Sequence, residues 1–184
     1  SMGGAALAIA EVEQPGTFAA LILIEPVILP PPFEPADHPL TSIVLKRRRT
    51  FESRKEAAKN FAGKAPFNRW HPAALSGYVE GGLKEHEGRF VLACDPKDEA
   101  AIYRAASAHG IWDRLSEIEI PVLVMASDAG GESQLSGYAR TIAERLPRGG
   151  FEHVAGTSHF LPMEQPELVA RRIERLAVVA ESDR

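Results

Sequence analysis

Residues 18–24 (FAALILI) and 120–125 (IPVLVM) are short, almost unbroken apolar runs. A strand that reads this way is buried on both faces, and such strands belong to parallel sheets covered by helices. Around these runs the pattern alternates. Residues 3–13 repeat Ala, Leu and Ile at helical spacing until Pro15-Gly16 stops them, residues 133–146 and 165–180 read as further helices, and residues 150–154 as another strand. The alternation predicts an α/β fold, a mainly parallel sheet with flanking helices. Such a sheet usually has ~5 or more strands, and this chain opens with a helix where a strand would be expected. It therefore reads as the back portion of a larger domain.

Between the two apolar runs the character changes. Residues 29–38 are dense in proline and predict a connector. Residues 46–110 are polar, rich in Arg, Glu and Lys, and predict amphipathic helices at 53–61, 72–83 and 96–108, the last two with proline near the start, where its missing N–H costs nothing. The expected organisation is a core formed by residues 1–45 and 111–184, with 46–110 as an inserted helical cap. Phe61, Phe67, Trp70, Tyr78, Tyr103 and Trp112 are expected mostly in the core of that insert, or, if it is a cap, partly around an apolar substrate pocket.

Composition narrows the function classes. The chain has 184 residues, 45% hydrophobic and 25% charged, with a net charge of −4. That is the balance of a soluble globular protein, with no general attraction to nucleic acid or an anionic membrane. The apolar stretch around residue 24 contains Glu25 and Pro26 and is far shorter than the ~20 residues of a membrane span. No basic-then-apolar leader pattern stands at the start. Cys94 is the single cysteine, so no internal disulfide and no thiolate zinc site can form, which fits a cytoplasmic setting. His38, His71, His86, His109 and His153 show no metal-ligand spacing, and neither a metal nor a cofactor is expected. The basic run at 46–49 is followed by Glu52 and Glu56 and reads as a solvated helix entry.

Ser1-Met2-Gly3-Gly4-Ala5 resembles the second half of the Gly-x-Ser-x-Gly nucleophile elbow of the serine α/β-hydrolase fold family, with Gly3 as its last glycine and the helix following at once. Gly156-Thr157-Ser158-His159, followed by Glu164-Gln165-Pro166, resembles the family's histidine loop between a strand and a helix. The resemblance implies a partial α/β-hydrolase fold that starts at the elbow, with Ser1 as nucleophile, His159 as base and the backbone N–H of Met2 as one oxyanion-hole donor. Two residues stand as candidates for the acid. Glu25 closes the first strand, a position used by some branches; Asp128 follows the second apolar run, at the commoner location, although the usual Gly-x-x-Asp spacing would fall on Ser127 and Gly130, and Glu132 lies further along.

The implied activity is hydrolysis of a small, largely apolar ester or related acyl substrate through an acyl-serine intermediate. Alternatives are a non-catalytic ligand-binding member of the same fold, or a lyase or perhydrolase using the same triad. Ser1-Met2 could also be foreign to the natural chain, which would remove the nucleophile, or Ser1 could be the terminal serine of an N-terminal-nucleophile hydrolase, which would open a strand rather than a helix. For these 184 residues by themselves the expectation is no activity, since the second oxyanion donor and the elbow strand would lie upstream. Unpaired strand edges would favour homo-oligomers.

Overall fold

The computed structural model describes residues 1–32, 39–106, 109–128 and 135–182. In chain order the elements are α1 (Met2–Glu13), β1 (Leu21–Ile24), α2 (Pro39–Leu45), β2 (Thr50–Phe51), α3 (Arg54–Ala62), α4 (Pro72–Gly81), β3 (Leu83–His86), β4 (Arg89–Leu92), α5 (Pro96–Ala105), β5 (Val122–Ala126), α6 (Leu135–Arg145), β6 (Gly149–His153), α7 (Leu161–Glu164) and α8 (Pro166–Ser182). They fall into two compact units, Ser1–Glu34 with Ser107–Arg184, and Pro35–Ala106. The second unit thus begins before residue 46, and α2 belongs to it.

In the first unit the apolar runs become a parallel sheet of order β1-β5-β6. Leu21 pairs with Val122 and Ile24 with Met125, while β5 pairs on its other side from Val122↔Gly149 to Ala126↔His153. Central β5 is almost wholly buried, as its lack of polar residues requires. Ala5, Ala8 and Val12 of α1 and Ala139, Ile142 and Ala143 of α6 join Leu21, Leu23, Val122 and Val124 in one core. α1 lies directly against the end of β1: a Cβ at Gly4 would stand 3.4 Å from Pro26 Cβ and 3.8 Å from the Leu23 Cα, ordinary van der Waals contact. Trp112 belongs to this core, edge-on to Tyr138 at 6.0 Å, and not to the insert. Arg172 ties α8 to β6 through two bonds to Glu152, at 2.6 and 2.7 Å.

The second unit has its own core of Phe51, Ala57, Phe61, Val79, Leu83 and Leu92. Helices arise where amphipathic pattern and caps agree: Ser53 accepts the Glu56 N–H at 3.1 Å, and Asp95 accepts the Lys97 N–H at 2.9 Å. Beside them lies an antiparallel sheet of order β2-β4-β3, unexpected from the sequence. β3 and β4 are joined by Glu87 and Gly88, both at positive φ, a two-residue hairpin turn. Phe61, Phe67, Trp70 and Tyr78 pack as a ring cluster with centroids 4.7–5.4 Å apart. The arginines of the basic run are committed to carboxylates of the same unit: Arg47 to Glu99, Arg48 to Glu56 and Arg49 to Asp95.

Candidate active site

Ser1 is the N-cap of α1, and its side chain makes no capping bond. Its carbonyl accepts the Gly4 N–H at 3.0 Å, which starts the helix, and its nitrogen donates to the Ile24 carbonyl at 2.6 Å. The serine therefore stands beside the end of β1, next to the residue that precedes Glu25. Met2 opens the first helical turn, where backbone N–H groups have no intrahelical acceptor.

Glu25 leaves β1 with φ +47 and is 1% exposed. A left-handed backbone on a buried glutamate is an outlier that needs compensation. Three partners from distant segments supply it. The Ser127 N–H donates to Oε1 at 2.5 Å, the Ser136 hydroxyl reaches Oε1 and Oε2 at 2.8 and 3.0 Å, and His159 Nδ1 lies 3.3 Å from Oε2. Burial works against the charge, but the bonds from His159, Ser127 and Ser136 outweigh it and hold the carboxyl at about 2, below its ordinary 4.5.

His159 lies on the loop between β6 and α7 and is half-buried, with its ring edge-on to Phe160. Several local bonds shape that loop. The Thr157 hydroxyl donates to the Val154 carbonyl at 2.6 Å, while the Ser158 N–H and hydroxyl both donate to the Glu164 carboxylate, at 2.9 and 2.5 Å. Because a carboxylate only accepts, Nδ1 is the donor in the contact with Glu25, which leaves Nε2 as the ring nitrogen open to another partner.

Asp128 is engaged elsewhere. Its Oδ1 is 3.0 Å from His153 Nε2, and its Oδ2 accepts the Gly156 N–H at 2.7 Å. Of the two candidate acids, Glu25 is the one brought to His159. Gly130 and Glu132 lie outside the described residues. Ser127 and Ser136, which anchor Glu25, carried no signal in the sequence, since a hydroxyl on a helix or strand end is not distinguishable there from any other. His153 looked like an ordinary strand residue.

Among the described residues no group of three or more His, Cys, Asp and Glu side chains is arranged to hold a metal, and no helix is long and apolar enough to cross a membrane. An open hollow of about 600 Å³ is lined by Leu7, Phe18, Leu21, Ile173 and Leu176 among others, and none of the candidate site residues lines it.

A parallel sheet with a serine at the start of a tight helix, a carboxylate closing the neighbouring strand and a histidine on a later loop defines an α/β-hydrolase arrangement. The chain belongs to the alpha/beta hydrolase family, whose sequence pattern matches residues 1–172. It is 28% identical to an abhydrolase domain-containing protein, ACTT2, of Alternaria alternata, over 91% of this chain and 76% of that one. Its fold is similar to that of the peroxisomal alpha-beta-hydrolase Lpx1 of Saccharomyces cerevisiae, with a TM-score of 0.75 and 22% identity over 95% of this chain and 51% of that one. A thermophilic esterase from Thermogutta terrifontis is similar too, at a TM-score of 0.63 and 21% identity over 98% of this chain and 63% of the esterase. The chain thus spans between half and two-thirds of these solved structures.

Proposed function

We propose that the protein hydrolyses a small, largely apolar ester or related acyl substrate through an acyl-serine intermediate, with Ser1 as nucleophile, His159 as base and Glu25 as the orienting acid. One observation carries this reading: a buried, ionised Glu25 holds His159 Nδ1 at 3.3 Å, while the same strand end binds the backbone of Ser1. In the first step Ser1 Oγ attacks the acyl carbon and its proton passes to His159 Nε2. The oxyanion gathers charge near the Met2 N–H at the positive end of α1. Collapse expels the alcohol, which takes the proton from His159. A water molecule then repeats the sequence on the acyl-serine, with His159 again accepting and returning the proton, and frees the carboxylic acid.

The test is turnover of short-chain aryl esters by the full-length gene product, paired with fluorophosphonate labelling of Ser1. His159→Ala is expected to lower kcat by about 10³-fold or more and to slow labelling in parallel. Unchanged turnover in that variant would overturn the reading, and absence of both turnover and labelling in the parent would favour a ligand-binding role.

A further inference from the structure

We infer that Asp128 and His153 form a brace that positions the loop carrying His159, so that the two carboxylates near this loop have different tasks. The inference rests on the triad reading above. Asp128 follows the end of β5, and each of its carboxylate oxygens holds a different point of the segment leaving β6: Oδ1 takes His153 Nε2 at 3.0 Å, and Oδ2 takes the Gly156 N–H at 2.7 Å. The Asp128 N–H also reaches the Thr157 carbonyl at 3.4 Å. These contacts bracket the turn at Gly156, whose φ of +76 swings the chain out of the strand three residues before His159. The far side of the loop is fixed separately, through Ser158 and Glu164.

The brace is half-exposed on both sides, with side-chain exposures of 51% for Asp128 and 47% for His153, and an exposed polar contact of this kind adds little to stability. Its consequence is geometric. Shifting a catalytic base by about 1 Å lowers a rate by on the order of 10²-fold, and Gly156 is the point from which such a shift would propagate.

Brace and orienting acid respond differently to an isosteric amide. An orienting acid must offer Nδ1–H a charged acceptor, and an amide in its place lowers kcat by about 10⁴ in a serine triad by admitting the wrong tautomer. A brace needs one acceptor for the Gly156 N–H and one partner for His153. Asparagine supplies both, its carbonyl oxygen to Gly156 and its NH2 to a neutral His153 whose Nε2 then accepts.

The experiment measures kcat and KM on an aryl ester for the full-length protein and its Asp128→Ala, Asp128→Asn and Glu25→Gln variants, with amide hydrogen exchange at Gly156 and Thr157 in each. Asp128→Ala is expected to lower kcat about tenfold with KM within about twofold, Asp128→Asn to recover to within about threefold of the parent, and Glu25→Gln to lose about 10³ or more. Exchange should quicken in Asp128→Ala and not in Asp128→Asn. An Asp128→Asn variant as poor as Asp128→Ala, or an Asp128→Ala variant with parental kcat, would overturn the brace. Unchanged exchange at both amides in Asp128→Ala would overturn it independently of catalysis, whereas undiminished turnover in His159→Ala would instead overturn the triad reading.

Discussion

Glu25 combines two unfavourable features, a left-handed backbone and a buried charge, and its neighbours show how each is offset. The backbone conformation costs an L-residue about 1–2 kcal/mol, and burial raises the cost of ionisation. Against this stand the Ser127 N–H, the Ser136 hydroxyl and His159, all donating to one carboxylate. Ser136 is the partner that can be removed most cleanly. Ser136→Ala is expected to destabilise the fold by about 1–2 kcal/mol and to raise the Glu25 carboxyl from about 2 towards its ordinary 4.5. Carboxyl-carbon NMR titration of Glu25 reads this directly; an unmoved midpoint would show that the hydroxyl does not share the charge. At this scale the sequence was legible where residue type and place coincided: Gly-Thr-Ser-His marked the loop of His159, and the strand end marked Glu25. It left both Glu25 and Asp128 as candidates, because which carboxylate meets the imidazole depends on the path of β5 and β6 in space.

Elements meet at glycines, and among the described residues Gly149 is the tightest such point in the first unit. A Cβ there would lie 2.0 Å from the Ala143 carbonyl oxygen and 2.9 Å from Leu146 Cβ, so the end of α6 can turn into β6 only past a bare backbone. Gly149→Ala is therefore expected to cost about 3 kcal/mol, seen as a lower urea midpoint with an unchanged slope. A parental midpoint would mean that the α6–β6 turn relaxes freely. β1 and β5 of the parallel sheet were legible because buried strands announce themselves as apolar runs. The hairpin of the second unit was not: β3 reads LKEH, with one buried residue, and its turn is Glu87-Gly88 rather than the Asn-Gly or Asp-Gly that marks this geometry. Pro72 and the helical pattern placed α4 correctly, but Gly81-Gly82 ended it before the expected residue 83 and released Leu83 into a strand.

On the scale of the molecule, Glu25 closes contacts that the chain makes nowhere locally: its partners Ser127, Ser136 and His159 are 102, 111 and 134 residues away. One carboxylate thus joins the end of β1, the end of β5, the start of α6 and the loop before α7. Periodicity reports on neighbours within a few residues, which is why the elements could be read in advance and this convergence could not. The convergence has a pH signature. Because the folded carboxyl sits at about 2 and the free one near 4.5, its stabilisation is complete above the unfolded value, declines as pH falls through the interval and is gone below about 2. The shift corresponds to on the order of 3 kcal/mol. Comparing urea unfolding of the parent with Glu25→Gln from pH 5 to pH 2 should show the parent's advantage shrinking by about that amount. An advantage that stayed constant across the interval would mean that the folded chain does not make this carboxyl more acidic, and that the bonds from Ser127, Ser136 and His159 stabilise its protonated and ionised forms alike.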